Sequence, residues 1–271
     1  MKNSGTPNRQ FRLILILALA FAPALGVGQT TPFVNEIKAQ FIHANQLYDQ
    51  KKFDKAREIY EGLLQKGVND PASLYNLGNA CARMGDIGAS VLYYTQALRL
   101  APRDRDIKEN LSRLEPAINR SNSFFLLKPF GWLKNLLSLD EWTLGTSCLF
   151  TLSCIMLGLK FFTRKERLAR LCRTGTILFG ILFLLHAGFL SFKIYDELIV
   201  KSAIVMKADT LARSGPGDQF EELYKLPVGT KVRIISKPQN SWVRIRLMDG
   251  RSAFLPLTEI RNVGFEFAPV R

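Results

Sequence analysis

The sequence predicts a multidomain membrane protein in three parts: an all-α repeat region, a two-helix transmembrane hairpin and a small all-β barrel. Three observations carry this. Two stretches without a charged residue, 142–159 and 174–192, flank a short basic segment. Upstream, a helical pattern of small and large apolar residues recurs between 37–70 and 71–104. Downstream of about residue 203, the pattern changes to short β-branched runs separated by turn residues.

The N-terminus reads as a signal peptide over residues 1–28. Lys2, Arg9 and Arg12 form a basic start, Leu13 to Leu25 an apolar run too short for a comfortable span, and Ala24, Gly26 and Gly28 the small residues a signal peptidase needs. An uncleaved anchor with the same orientation is the alternative. The apolar stretches match the ~20 residues that cross a ~30 Å hydrocarbon core as a helix. They predict transmembrane helices at 142–162 and 174–192, joined by a basic loop at 163–173. Arg164, Lys165, Arg167, Arg170 and Arg173 sit in that loop with Glu166 as its only acid. The positive-inside rule places it in the cytoplasm, and both ends of the chain on the other side.

The formal charge of +14 and the pI near 9.8 raise the question of nucleic acid. The excess is spread over leader, loop and C-terminal region without a long basic run, so nucleic acid is not expected as a partner. A bilayer and anionic wall polymer account for it more simply. Of the four cysteines, Cys148 and Cys154 lie in the first span and Cys172 on the basic flank. Cys81 stands alone in an exported region and cannot make a disulfide there. Residues 124–139, apolar with two lysines, read as an interfacial segment, with Trp132 and Trp142 suited to the headgroup layer.

Residues 35–118 hold the repeat: two full units, 37–70 and 71–104, and a capping helix that begins at Arg105 and carries Ile107, Leu111, Leu114 and Ile118. In the second unit Leu74, Leu77, Gly78, Cys81, Ser90, Tyr94, Ala97 and Pro102 fall where a helix pair needs small residues at its crossing and large ones in its seam. The first unit places Ala44, Leu47, Ala56, Tyr60 and Leu63 in step. With the run Leu-Tyr-Asn-Leu-Gly-Asn-Ala at 74–80, this resembles the tetratricopeptide repeat. The resemblance implies a peptide-binding groove lined by Phe41, Asn45, Tyr48, Tyr75, Asn79 and Ala82. Asn45 and Asn79 hold the same repeat position and could clamp a peptide backbone. Asn is also common at that position for packing reasons, and both readings stand.

Residues 203–264 predict about five short strands, including 231–235 and 242–246, with turns at 227–230, 237–240 and 248–250. The order Leu211-Ala-Arg-Ser-Gly-Pro-Gly217, Gly229-Thr-Lys-Val, Trp242-Val-Arg-Ile and Asp249-Gly-Arg resembles the bacterial SH3 (SH3b) family. That resemblance implies a surface aromatic groove of Tyr224, Trp242 and Phe254, although Trp242 reads more readily as core. The family's later Gly-Trp is Ala253-Phe254 here, which removes one aromatic.

No catalytic residue, cofactor or metal site is expected. Nucleotide-binding, hydrolase and zinc-protease motifs are absent from the sequence, and His43 and His186 are its only histidines. His186, in the second span without a charged companion, reads as a helix–helix hydrogen bond rather than a proton path.

Domain order resembles the BatE-type proteins of the Bacteroides aerotolerance (Bat) system. That implies a non-enzymatic periplasmic scaffold held in a bacterial inner membrane, with membrane proteins bearing von Willebrand factor A domains as partners. Two alternatives are a cell-wall sensor binding peptidoglycan through the SH3b domain, and an accessory subunit of a wall hydrolase.

Overall fold

The structure is a computed structural model and describes residues 32–116, 133 and 136–264. The signal peptide, Trp132, Ile118 and residues 124–132, 134 and 135 of the 124–139 segment lie outside the described residues. The chain divides after Ala39 into a short unit holding the opening turns of the first helix and a second unit, Gln40–Arg271, holding the rest.

Five helices form the repeat region: α1 (Pro32–Asp49), α2 (Phe53–Gln65), α3 (Pro71–Arg83), α4 (Ile87–Leu100) and α5 (Arg105–Leu114). Three begin on an aspartate whose carboxylate satisfies the amides a helix start leaves open. Asp70 accepts from Ala72 and Ser73 at 3.0 Å, Asp86 from Ala89 at 3.1 Å and Asp104 from Ile107 at 3.0 Å. Gly85, at φ 80°, makes the left-handed turn between α3 and α4. Gly78 shows why the crossing needs a small residue, since a Cβ there would stand 2.7 Å from the Tyr94 ring. Tyr60, Leu63, Leu74, Leu77, Tyr94 and Ala97 fill the seams.

Helix α4 is buried all round from Gly88 to Ala97, as expected of a helix with no polar face. On one side lie α3 and α5. The other side is covered by the C-terminal β domain. A Cβ on Gly88 would come within 2.9 Å of Met206 Cα, and Gln96 Nε2 donates to Val263 O at 3.2 Å.

Two long helices follow, α6 (Leu139–Phe162) and α7 (Glu166–Ile194), both long and apolar enough to cross a membrane. The apolar window of α6 has no residue buried within the protein, and that of α7 almost none. Helix α6 starts on a capping box, with Glu141 N donating to Ser138 Oγ at 3.2 Å and Ser138 N to Glu141 Oε2 at 2.8 Å. The basic segment 163–173 is not a loop along its length. Only residues 163–165 are non-helical, and Arg167, Arg170 and Arg173 lie on α7. An antiparallel helix pair needs no more than a few connecting residues, and charge alone does not stop helix formation. Thr146 Oγ1 lies 3.0 Å from His186 Nδ1, a helix–helix hydrogen bond. Trp142 is buried against His186 and Phe189 (4% exposed) rather than turned outward to a headgroup layer. Gly145, beneath the His186 ring, leaves room for this cluster. Helix α7 ends in a π-helical turn, Tyr195–Ile199.

The β domain has seven strands rather than about five: β1 (Ser202–Val205), β2 (Thr210–Arg213), β3 (Glu222–Leu226), β4 (Lys231–Ile234), β5 (Trp242–Arg246), β6 (Ser252–Pro256) and β7 (Ile260–Asn262). They form one antiparallel sheet in the order β3-β2-β6-β5-β4-β1-β7. Every strand contributes to a single core that includes Val205, Ala212, Leu226, Val232, Ile245, Leu255 and Ile260. Laid flat, seven strands would span roughly 30 Å, so one shared core requires the sheet to curl on itself. Arg213 explains the Arg-Ser-Gly-Pro-Gly motif. Its Nη1 donates to Asp218 O (3.0 Å) and Phe220 O (2.8 Å), and its Nη2 to Glu222 Oε1 (3.2 Å), pinning the β2–β3 loop.

Candidate functional site: the inner face of the repeats

The first helices of successive units line the inner face, and Phe41, Asn45, Tyr48, Tyr75, Asn79 and Ala82 are all half-buried there. The structure brings them onto α1 and α3 as the repeat spacing predicts. Their aromatic rings are braced from behind. Phe41 meets Tyr60 at 6.0 Å, Tyr48 meets Phe53 at 5.1 Å and Tyr75 meets Tyr94 at 5.8 Å between ring centres.

The two asparagines anchor a repeated network. Asn45 Oδ1 accepts from Tyr60 Oη at 2.5 Å and from Asn76 Nδ2 at 2.9 Å. One repeat on, Asn79 Oδ1 accepts from Tyr94 Oη at 2.5 Å and from Asn110 Nδ2 at 3.2 Å. Asn110 Nδ2 also lies 3.0 Å from Tyr75 Oη. Each oxygen therefore joins the second helix of its own unit to the first helix of the next. A carboxamide oxygen has two lone pairs, and here both are taken. Donation from Nδ2 is the chemistry left for a peptide backbone, so a clamp that both donates and accepts is not what these side chains offer. Asn76 and Asn110 were not among the residues read from sequence as groove-lining. Their signal was available, because each stands at one repeat position, 31 residues beyond its acceptor.

Burial raises both phenols of the network. Tyr60 and Tyr94 are each pushed up to about 12, chiefly by desolvation. The thiol of Cys81, fully buried behind the same face, is also pushed up to about 12 by burial. Arg57 joins the two units, with Nε 2.9 Å from Glu61 Oε1 and Nη1 2.9 Å from Asp86 Oδ2. Burial opposes its charge, but the bonds to Glu61 and Asp86 and nearby negative potential raise its pKa on balance. His43, at the repeat position where Leu77 is buried, is exposed. Among the described residues no helix precedes α1 to cover it.

The three aromatics of the β domain do not form one groove. Strand parity sets Tyr224, paired with Ala212, on the core side, whereas Phe254, paired with Arg244, points outward. Arg251 covers the Tyr224 ring at 4.6 Å, and the Tyr224 hydroxyl is buried without a protein partner. Trp242 has the outward parity of Arg244 and Arg246, yet it is 8% exposed. Its backbone closes the 239–242 turn, where Trp242 N donates to Gln239 O at 2.8 Å and Gln239 N returns the bond to Trp242 O at 2.7 Å. Of the two sequence readings of Trp242, surface or core, the structure supports burial. Among the described residues no group of three or more His, Cys, Asp or Glu side chains is placed to hold a metal ion.

Stacked antiparallel helix pairs of this period, with a small residue at each crossing, define a helical repeat module. Residues 71–104 match the family described as tetratricopeptide repeat. The chain is also similar to protein O-mannosyl-transferase TMTC1 of Mus musculus and of Homo sapiens, 33% identical over 75 residues in each case. That match covers 28% of this chain and 8% of those proteins, so the chain spans a small fraction of the length of these curated relatives. The chain thus carries a tetratricopeptide repeat, a module of protein–protein interaction, together with two helices able to span a membrane and an antiparallel all-β domain.

Proposed function

We propose that this protein is a non-enzymatic scaffold anchored in a bacterial inner membrane by the α6–α7 hairpin, with the repeats and the β domain both in the periplasm, and that its repeats bind a protein partner on their inner face. The observation that carries the reading is the covering of α4. The β domain occupies the outer side of the second unit, which leaves the half-buried aromatic face of α1 and α3 as the surface for a partner. Arginines at the α6–α7 connection favour its cytoplasmic placement. Within a Bat-type aerotolerance complex, the partners would be membrane proteins bearing von Willebrand factor A domains.

The test compares the proteins that co-purify with the full-length chain in detergent and with a variant carrying Tyr48→Ala and Ala82→Arg. The first change removes an aromatic contact and the second fills the groove. Loss of specific membrane proteins from the variant supports the reading. An unchanged set from a folded variant rejects it.

A second reading is favoured by the outer face of the β domain, where exposed Arg244 and Arg246 neighbour Phe254. Cationic and aromatic groups side by side suit an anionic wall polymer. In this reading the protein senses peptidoglycan, or guides a wall hydrolase to it. Retention of the solubilised protein on purified sacculi at moderate salt, abolished by Arg244→Gln with Arg246→Gln, is the result it requires.

A further inference from the structure

A cavity of about 410 Å³ lies where α4, the end of α7 and the β domain meet. Six basic residues line it: Arg99, Arg103, Lys108, Lys193, Lys231 and Arg233. Among the described residues only two acids do, Asp196 and Glu197. These acids are engaged, Glu197 Oε1 3.1 Å from Lys193 Nζ and Asp196 Oδ1 3.8 Å from Arg233 Nη2. Arg103 reaches out to Glu141. The lining still carries an excess of positive charge around a half-open cavity, which favours an anion over a neutral molecule there. The guanidinium of Arg99 is partly desolvated, which lowers its pKa despite Glu197 and Asp196 nearby.

The cavity's place decides the kind of anion. Its wall includes Leu136, just before α6, and Lys193, in the last turn of α7. Both candidate spans end at this level. If they cross a bilayer, the cavity stands in the headgroup layer, where phosphates are concentrated and apolar lining from Leu98, Leu136 and Met248 is also of use. Its volume is within the range of small-molecule sites and suits a phosphate with its glycerol. Arginine forks bind such oxygens in pairs.

We propose that this cavity binds the phosphate headgroup of an anionic glycerophospholipid and that the lipid ties the repeats and the β domain to the ends of the hairpin. The proposal rests on the membrane-anchored reading above. It assigns the cavity no part in holding a protein partner.

The experiment uses full-length protein, purified in detergent after reconstitution in phosphatidylglycerol or phosphatidylcholine, with bound lipid counted by native mass spectrometry. Wild type should retain phosphatidylglycerol and not phosphatidylcholine. Arg99→Gln with Lys231→Gln should cut retention about ten-fold, the effect of losing one or two charge-assisted contacts. Arg164→Gln with Arg167→Gln, at the opposite end of the hairpin, should leave it unchanged. Equal retention by the two variants overturns the proposal and leaves the anchoring intact. Should the first variant misfold, Lys108→Gln alone must still reduce retention, and failure to do so is equally fatal. If inorganic phosphate raises the melting temperature of wild type but phosphatidylglycerol is never retained, the site takes a soluble anion and the lipid assignment is wrong. Release of the protein from membranes by alkaline carbonate overturns the anchored reading itself.

Discussion

Tyr94 Oη donates to Asn79 Oδ1 at 2.5 Å across the seam between α3 and α4, and Tyr60 makes the same bond to Asn45 one repeat earlier. The inner face of the module is therefore backed by a polar ladder. It couples each helix pair to the next through one shared carboxamide oxygen. The candidate groove and the repeat stacking are parts of one network, and the first prediction follows from that sharing.

Tyr94→Phe should lower stability by about 1 kcal/mol, the net worth of one internal hydrogen bond. Asn79→Ala should cost more, about 1–3 kcal/mol, because it strands the Tyr94 hydroxyl and the Asn110 amide together. The double variant should cost less than the two added, since both remove one bond. Thermal unfolding of the three variants in detergent measures this, and strict additivity would contradict a shared acceptor.

The raised phenols set an alkaline limit. Tyr60 and Tyr94 ionise near 12 when folded and near 10 when unfolded. Their neutral forms favour the fold fully below pH 10, and that contribution is lost as pH rises toward 12. The repeat helices should melt in that window, and the share of tyrosinate absorbance that is missing from a Tyr60→Phe, Tyr94→Phe variant should appear together with loss of helical circular dichroism. That difference absorbance appearing well before helix loss would contradict the burial of these rings.

Cys81 should be chemically silent in the native state. Its thiol is fully buried and pushed up to about 12, so thiolate is scarce at neutral pH. A maleimide reagent should leave Cys81 unlabelled in folded protein and label it within minutes after denaturation. Cys148 and Cys154, exposed on α6, form the internal comparison under detergent. Rapid native labelling of Cys81 would show that the α3–α4 seam opens.

Two glycines separate repeat packing from domain packing. Gly78→Ala should destabilise the repeat by about 1–3 kcal/mol through overpacking, because its Cβ would press on the Tyr94 ring at 2.7 Å. Gly88→Ala meets the Met206 backbone at 2.9 Å, which cannot turn aside as a side chain can. It should loosen the β domain from α4 while leaving each part folded. Limited proteolysis should then cut between residues 195 and 202 faster than in wild type. Equal cutting rates would refute this contact.

Much of the architecture was legible in the chain. Turns were marked by Gly229 and Gly250, and the helix crossing by Gly78. Each is a local signal that acts within a few residues. The candidate groove was legible too, because a repeat of fixed period carries its side chains to the same face. Harder to read was what each groove residue already holds. Asn45 and Asn79 looked like a pair of outward amides, but their oxygens are taken by Tyr60, Asn76, Tyr94 and Asn110. Tyr224 and Phe254 looked like parts of one aromatic patch, yet the pleat sets them on opposite faces, while Trp242 is buried as its core reading expected.

By itself, the sequence determined the kinds of element and their order: stacked helix pairs, two long apolar helices and a set of short strands. Period, hydropathy and turn chemistry are short-range properties, and they need no knowledge of distant neighbours. Only the tertiary structure decided that the β domain covers α4, with Gln96 bonded to Val263. It also decided that Arg99, Lys193 and Arg233 surround one cavity. Those meetings join segments far apart along the chain, and which faces come together depends on the packing of the whole.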